Sequence, residues 1–273
     1  MYTRDKLIHP DMPPLDTREF DQLRKEILIP DVRDIDYNEF KKEIEAHFRK
    51  TEVNHLKGFN AFTQHDVILG CQQYIDNIIS KKGIDQLQIF EHDYNYYKKL
   101  SPNIRYVTLE TLSSNKPLLM AMPFPGHLGM HRQMREILQK CNKNNIDVHL
   151  DCAWLTSAFG IDFDFDQPCI KSFAMSFSKA YCLHWNKIGL RWSRNKDVTD
   201  TITILNVSNA LSKSNLYVAK KYMQSFTIDH LVKKHKTKYL DVCRQLRLRP
   251  SNIIHACFSI DRGKLYGLKN FFD

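Results

Sequence analysis

Apolar positions along this chain follow two alternating rhythms, and their alternation predicts an α/β fold. At 37–50, Phe40, Ile44 and Phe48 recur every fourth residue, which places them on one face of a helix. Further helices are expected at 70–80, 94–100 and 131–142. Short apolar runs at 86–91, 104–109, 117–122, 146–150, 170–177 and 201–205 predict strands. Such alternation implies a doubly wound, mainly parallel sheet held between two helical layers, a three-layer αβα arrangement. Ligands of these sheets sit at the carboxyl ends of the strands. Asp151, Lys179 and the loop 123–129 fall at such ends.

The flanks differ from this middle. Residues 1–35 are rich in proline and charge, with one amphipathic stretch at 18–28, and predict an arm leading into the fold. After 209 a largely helical stretch runs to about 246, followed by a strand-like segment at 253–260. The expected division is an arm and helix at 1–50, a large domain at 51–210, and a helical stretch with a reduced small domain at 211–273.

Composition narrows the classes. The chain has 273 residues, of which 42% are hydrophobic, enough for a sizeable core. No run of 18 apolar residues predicts a membrane span, and the first residues do not have the form of a signal peptide. Seven cysteines without paired spacing read as free thiols of a cytoplasmic protein. The 12 histidines show no metal-ligand spacing, so no metal is expected. A net charge of +9 favours anionic partners, and its densest part is Lys233-Lys234-His235-Lys236-Thr237-Lys238 with Arg244, Arg247 and Arg249. That run is either a solvated helix face, the favoured reading, or a nucleic-acid contact, although no aromatic residues are interleaved with it.

The candidate chemistry lies between Gly70 and Arg191. Gly70-Cys71-Gln72-Gln73, with Ile75-Asp76 after it, could be a plain helix start or an anion cradle of backbone amides. Tyr94 is either a core tyrosine in the cluster with Tyr96 and Tyr97 or an aromatic platform. Asp151 closes the apolar run 146–150, as a helix cap or a buried carboxylate would. Ser176-Phe177-Ser178-Lys179 closes another, and Gly189-Leu190-Arg191 follows it.

Taken together, residues 58–260 resemble the large domain of fold-type I enzymes that depend on pyridoxal 5'-phosphate (PLP), in the class I/II aminotransferase group. The resemblance implies PLP as cofactor. Lys179 would form the Schiff base and shuttle the proton, a role that needs a depressed amine pKa. Asp151 would keep the pyridine nitrogen protonated, and Tyr94 would stack on the ring. Gly70, Cys71, Gln72, Ser176, Ser178 and Arg191 would form the phosphate cup.

Three departures and one insertion accompany the resemblance. The loop whose asparagine reaches the ring's phenolic oxygen reads Pro123-Phe124-Pro125-Gly126-His127-Leu128-Gly129, without asparagine. The tyrosine that reaches the same oxygen is Trp154, so that contact is altered or passes to another group such as His127. His184-Trp185-Asn186-Lys187 looks like an insertion between Lys179 and Arg191. The small C-terminal domain, home of the arginine that binds a substrate carboxylate, is shortened, and Arg262 is the one late arginine outside the basic run. The expected function is an aminotransferase-like PLP enzyme acting on an amine or amino acid as a homodimer. The alternatives are another PLP reaction, decarboxylase or lyase, and a non-catalytic scaffold binding an anionic partner.

Overall fold

A computed structural model describes residues 2–9, 15, 17–27, 35–101, 104, 106–183, 185–260 and 263–272. At its centre is a five-stranded sheet built from Gln64–Ile68 (β1), Leu118–Ala121 (β2), Val148–Asp151 (β3), Ile170–Ser176 (β4) and Gly189–Ser193 (β5), in the order β1-β5-β4-β3-β2. β2, β3 and β4 run parallel, while β5 is antiparallel to both β1 and β4. A parallel bridge from Gln88 to Leu118 carries the sheet on to a short parallel pair, Ile89–Phe90 with Tyr106–Val107.

Side chains of successive strand residues enter different cores, as the strand period of two requires. Leu118 and Met120 join the larger cluster with Phe48, Phe173 and Trp192, whereas Leu119 joins Ile68, Tyr74, Ile75 and Tyr97 on the other side. Phe173 and Trp192, register partners on β4 and β5, stack with ring centroids 4.7 Å apart and planes 8° apart. The sheet is therefore covered on both faces, the mixed α/β layering that the alternation predicts.

Most expected elements form, with trimmed ends: helices Tyr37–Arg49, Cys71–Lys82, Tyr96–Leu100 and Met134–Lys143. The strand expected at 201–205 is instead the helix Thr201–Val207. Its β-branched residues favour a strand, but the Asp200 carboxylate accepts hydrogen bonds from the Ile202 and Thr203 amides and caps a helix there.

After the sheet come helices Lys213–Ser225 and His230–Gln245, then a three-stranded antiparallel sheet of Leu248–Arg249, Ala256–Ser259 and Leu265–Gly267. The amino-terminal arm closes onto this small sheet through an Ile8–Gly267 bridge. Its amphipathic helix, Arg18–Glu26, buries Phe20 against Tyr181, Tyr222 and Phe226. The basic run engages the protein itself. Lys233 pairs with Glu52, Lys234 pairs with Glu19, and Lys236 and Lys238 lie over the rings of Phe159 and Phe272. Among the described residues no helix is long and apolar enough to cross a membrane.

Candidate cofactor site

The carboxyl ends of β3 and β4 lie side by side, because Asp151 pairs with Ala174 on one flank and Ala121 on the other. Asp151 is buried, and one of its oxygens accepts from the Ala153 amide at 3.0 Å. Burial pushes its carboxyl up to about 6, against the opposing pull of the Ala153 amide, Cys71 and the Lys179 ammonium.

Lys179 sits in the one-turn helix Phe177–Ala180 that follows β4. Burial pulls its amine below the usual lysine value, with Cys182 and Asp151 opposing. The turn is anchored from behind. Phe177 donates its amide to the Ile188 carbonyl, and the Tyr181 hydroxyl donates to the Phe226 carbonyl while lying 2.5 Å from His47 Nε2. Two ionisable groups of opposite sign, Asp151 buried and Lys179 half-buried, thus stand at neighbouring strand ends, both drawn toward neutrality.

Tyr94 completes this cluster. Burial raises its hydroxyl, and the charge of Asp151 is the next contributor. The ring remains 39% exposed, stacked at 5.8 Å on Tyr96 and edge-on to Tyr97, so one face is left for a ligand. Asp93, which the sequence reading assigned no role, ties the Tyr94 turn to the end of β2. Its carboxylate accepts from the Tyr94 amide at 2.6 Å and the Ala121 amide at 3.1 Å. Burial pushes that carboxyl up to about 7.

The amino end of helix Cys71–Lys82 forms the adjoining wall. Gly70 adopts φ +80° and ψ 166°, a conformation that glycine tolerates and L side chains avoid. The Cys71 and Gln72 amides belong to the first turn, whose N–H groups a helix leaves without internal partners. The Cys71 thiol donates to the Ala174 carbonyl at 3.4 Å. A Cβ at Gly70 would lie 3.7 Å from Ser178 Oγ and 3.5 Å from Lys187 Cβ, so the helix start, the Ser178 hydroxyl and Lys187 meet at one point. Ser176 is buried at the foot of the same turn.

Arg191 does not join them. It lies in mid-strand on β5, paired in register with Asp66 and Ala174. Its guanidinium donates to Asp66 Oδ2 at 2.6 Å, Asp200 Oδ1 at 2.8 Å and Thr203 Oγ1 at 2.9 Å. The cavity it lines, about 270 Å³, also takes in Asp147, His149 and Lys171, residues at the amino ends of β3 and β4 and so at the opposite edge of the sheet. Arg191 is held by buried carboxylates that need its charge. Arg191→Lys is expected to lower folding stability by about 1–3 kcal/mol, since an ammonium cannot reproduce the fork that serves Asp66, Asp200 and Thr203. Urea unfolding checks this.

Trp154 lies three residues beyond Asp151 and meets a residue from the small sheet's approach. The His255 ring stands edge-on to its indole, with centroids 5.6 Å apart and planes at 86°. His255 has no exposure, and neither ring nitrogen has a hydrogen-bond partner. His127 looks elsewhere: its Nδ1 accepts from the Arg132 amide, and its ring contacts are Phe124 and His131. His184 and Arg262 lie outside the described residues.

The residues present fit a phosphorylated pyridine aldehyde. They offer a helix amino end with an adjacent hydroxyl and ammonium for a phosphate, and a buried carboxylate for a ring nitrogen. They also offer an aromatic face for the ring, a half-buried amine for the aldehyde, and orphaned imidazole nitrogens beside Trp154. No sequence-family model and no curated protein sequence matches the chain. Solved structures do match. An aspartate aminotransferase double mutant from Thermus thermophilus superposes with a TM-score of 0.63 at 11% identity, over 91% of this chain and 75% of that one. A tyrosine aminotransferase from Leishmania infantum gives 0.61 at 12%, over 89% and 78%. L-threonine-O-3-phosphate decarboxylase from Porphyromonas gingivalis gives 0.59 at 15%, over 88% and 78%. Through these neighbours the architecture is recognised: the chain has the fold of the fold-type I, aminotransferase-like PLP-dependent enzymes.

Proposed function

We propose that the protein is a PLP-dependent enzyme, an aminotransferase-like transferase acting on the amino group of an amine or amino acid. The observation that carries this reading is the placement of Asp151 and Lys179 at the neighbouring carboxyl ends of β3 and β4, each shifted toward its neutral form. PLP, when bound, supplies the electron-withdrawing ring that makes removal of a substrate α-proton feasible.

The remaining work falls to the chain. The Lys179 amine, drawn below the usual lysine value by burial, would hold the aldehyde and would carry the proton between substrate carbon and cofactor. Asp151 holds a proton on the ring nitrogen, and Tyr94 offers its open face to the ring. The amides of Cys71 and Gln72, with the Ser178 hydroxyl, receive the phosphate. Lys187 takes the cationic place beside them, since Arg191 is bound to Asp66 and Asp200.

A contrast between two cations tests this cup. Lys187→Ala is expected to weaken PLP binding about fivefold, the equivalent of the ~1 kcal/mol that an exposed charge pair contributes, and to leave unfolding unchanged. Arg191→Lys should do the reverse. Fluorescence titration with PLP and urea unfolding of both variants read the two effects separately.

Transamination and decarboxylation share the ring, the lysine and the carboxylate, and both chemistries occur among the structural neighbours. Conversion of the bound cofactor to its pyridoxamine form on adding an amino donor, followed by its return with a keto acid, would establish transfer. Release of carbon dioxide without that conversion would establish decarboxylation. A homodimer in the cytoplasm completes the proposal, and seven buried cysteines, none in a disulfide, suit a reducing compartment.

A further inference from the structure

We propose that His255 is a ligand-binding residue of this site, placing an imidazole beside Trp154, which stands where the resemblance expects a tyrosine hydroxyl. The inference rests on the PLP reading above and extends it to a residue from a different part of the chain.

The argument begins with an imbalance. His255 sits in the apolar run Ile253-Ile254-His255-Ala256-Cys257, at the mouth of strand Ala256–Ser259, with no exposure to water. Its backbone is tied down, since its carbonyl accepts from the Leu268 amide at 3.0 Å. Its two ring nitrogens have no partner. Buried polar side chains are normally hydrogen-bonded, and a histidine left wholly unsatisfied marks a place where a bound group belongs. Most other buried or half-buried histidines have one. His47 contacts Tyr181, His149 contacts Ser172, and His127 and His131 accept backbone amides. His235 also has an orphaned nitrogen, but its ring stands against Phe272, which is not one of the site residues.

Position gives the imbalance its direction. His255 is edge-on to Trp154, which follows Asp151 by three residues, and the Lys179 charge adds to burial in disfavouring its protonation. A neutral imidazole beside a lysine offers one donor and one acceptor. Where the resemblance expects an asparagine and a tyrosine around the ring's phenolic oxygen, this chain has the loop 123–129, without asparagine, and Trp154. An imidazole N–H is the group of matching chemistry, and an oxygen of the pyridoxal ring is the ligand atom it would satisfy.

The test uses His255→Phe, which keeps the ring's shape and removes both nitrogens, and His255→Gln, which keeps a donor and an acceptor. Without cofactor, His255→Phe is expected to unfold at higher urea concentration than the wild type, because two unsatisfied polar atoms are gone. With PLP, the same variant should bind roughly fivefold more weakly. The pH midpoint of its visible band should move by at least half a unit, and His255→Gln should restore part of both. Borohydride trapping on Lys179 runs alongside. If the wild type traps no PLP there, the PLP reading fails. If trapping succeeds while His255→Phe matches the wild type in affinity and midpoint, the His255 inference fails alone. A His255→Phe protein that is less stable without cofactor would also overturn it, by showing the imidazole to be a structural group.

Discussion

Lys179→Ala is expected to produce a folded protein that no longer forms a borohydride-reducible PLP adduct and whose turnover falls by roughly 10²–10⁴-fold from lost proton transfer alone. The chain is rich in lysines, yet this one differs in environment. It stands in the turn after β4, half-buried, with its amine lowered by desolvation beside the charge of Asp151. A nucleophilic amine needs an unprotonated fraction, and burial shifts Lys179 in that direction. Lys187, the competitor nearest the helix amino end, is exposed on the surface. Removing the Lys179 side chain also relieves a desolvated cation, so the variant should be at least as resistant to urea as the wild type. Peptide mass analysis after borohydride reduction decides the matter. An adduct on Lys179 in the wild type and none in the variant is the expected pair. An adduct on Lys187 in both would move the chemistry out of the buried cleft.

How much of this was legible in the sequence depends on whether a feature has a local signature. Strand β2 is a continuous apolar run, and β3 and β4 lie within stretches where apolar residues predominate, as strands covered on both faces require, so all three were readable. Strands β1 and β5 were not, because each carries a charge in mid-strand, Asp66 and Arg191. Those charges break the apolar pattern and neutralise one another only across the sheet. The same pair misdirected the reading of Arg191, whose partners lie 125 and 9 residues away. Lys187 could have been found, since the interval from lysine to phosphate cation implied by the resemblance is shorter than that to Arg191. His255 gave no warning: one histidine among apolar residues has no spacing to read, and its significance comes from Trp154 and Lys179, which only the fold brings beside it. Asp93 was similarly silent, being defined by two backbone amides from different segments.

Asp151→Asn is expected to strengthen the fold while disabling the site, and the two effects separate by pH. The folded carboxyl titrates near 6, above its ordinary 3.8. A raised acid pKa means that its favourable contribution is fully present below 3.8 and is lost as pH rises through 6, amounting to roughly 3 kcal/mol at full ionisation. An asparagine carries no charge to desolvate. In the absence of PLP, the variant should therefore gain about 1–3 kcal/mol at pH 8, with the gain shrinking as pH falls below 6 and vanishing near 4. Asp93, raised to about 7 by burial and in part by the charge of Asp151, is relieved of that repulsion in the variant, which adds to the gain at pH 8. With PLP the order reverses, because an amide cannot hold a proton on the pyridine nitrogen. Turnover should fall by roughly 10²–10³-fold, while the cofactor stays tethered through Lys179 and the phosphate cup. Urea unfolding at pH 5 and pH 8, with and without PLP, reads both halves. A variant stabilised without cofactor and inactive with it shows a carboxylate kept at a cost to folding for the sake of chemistry. Equal activity in the two proteins would mean that the ring nitrogen finds its proton elsewhere.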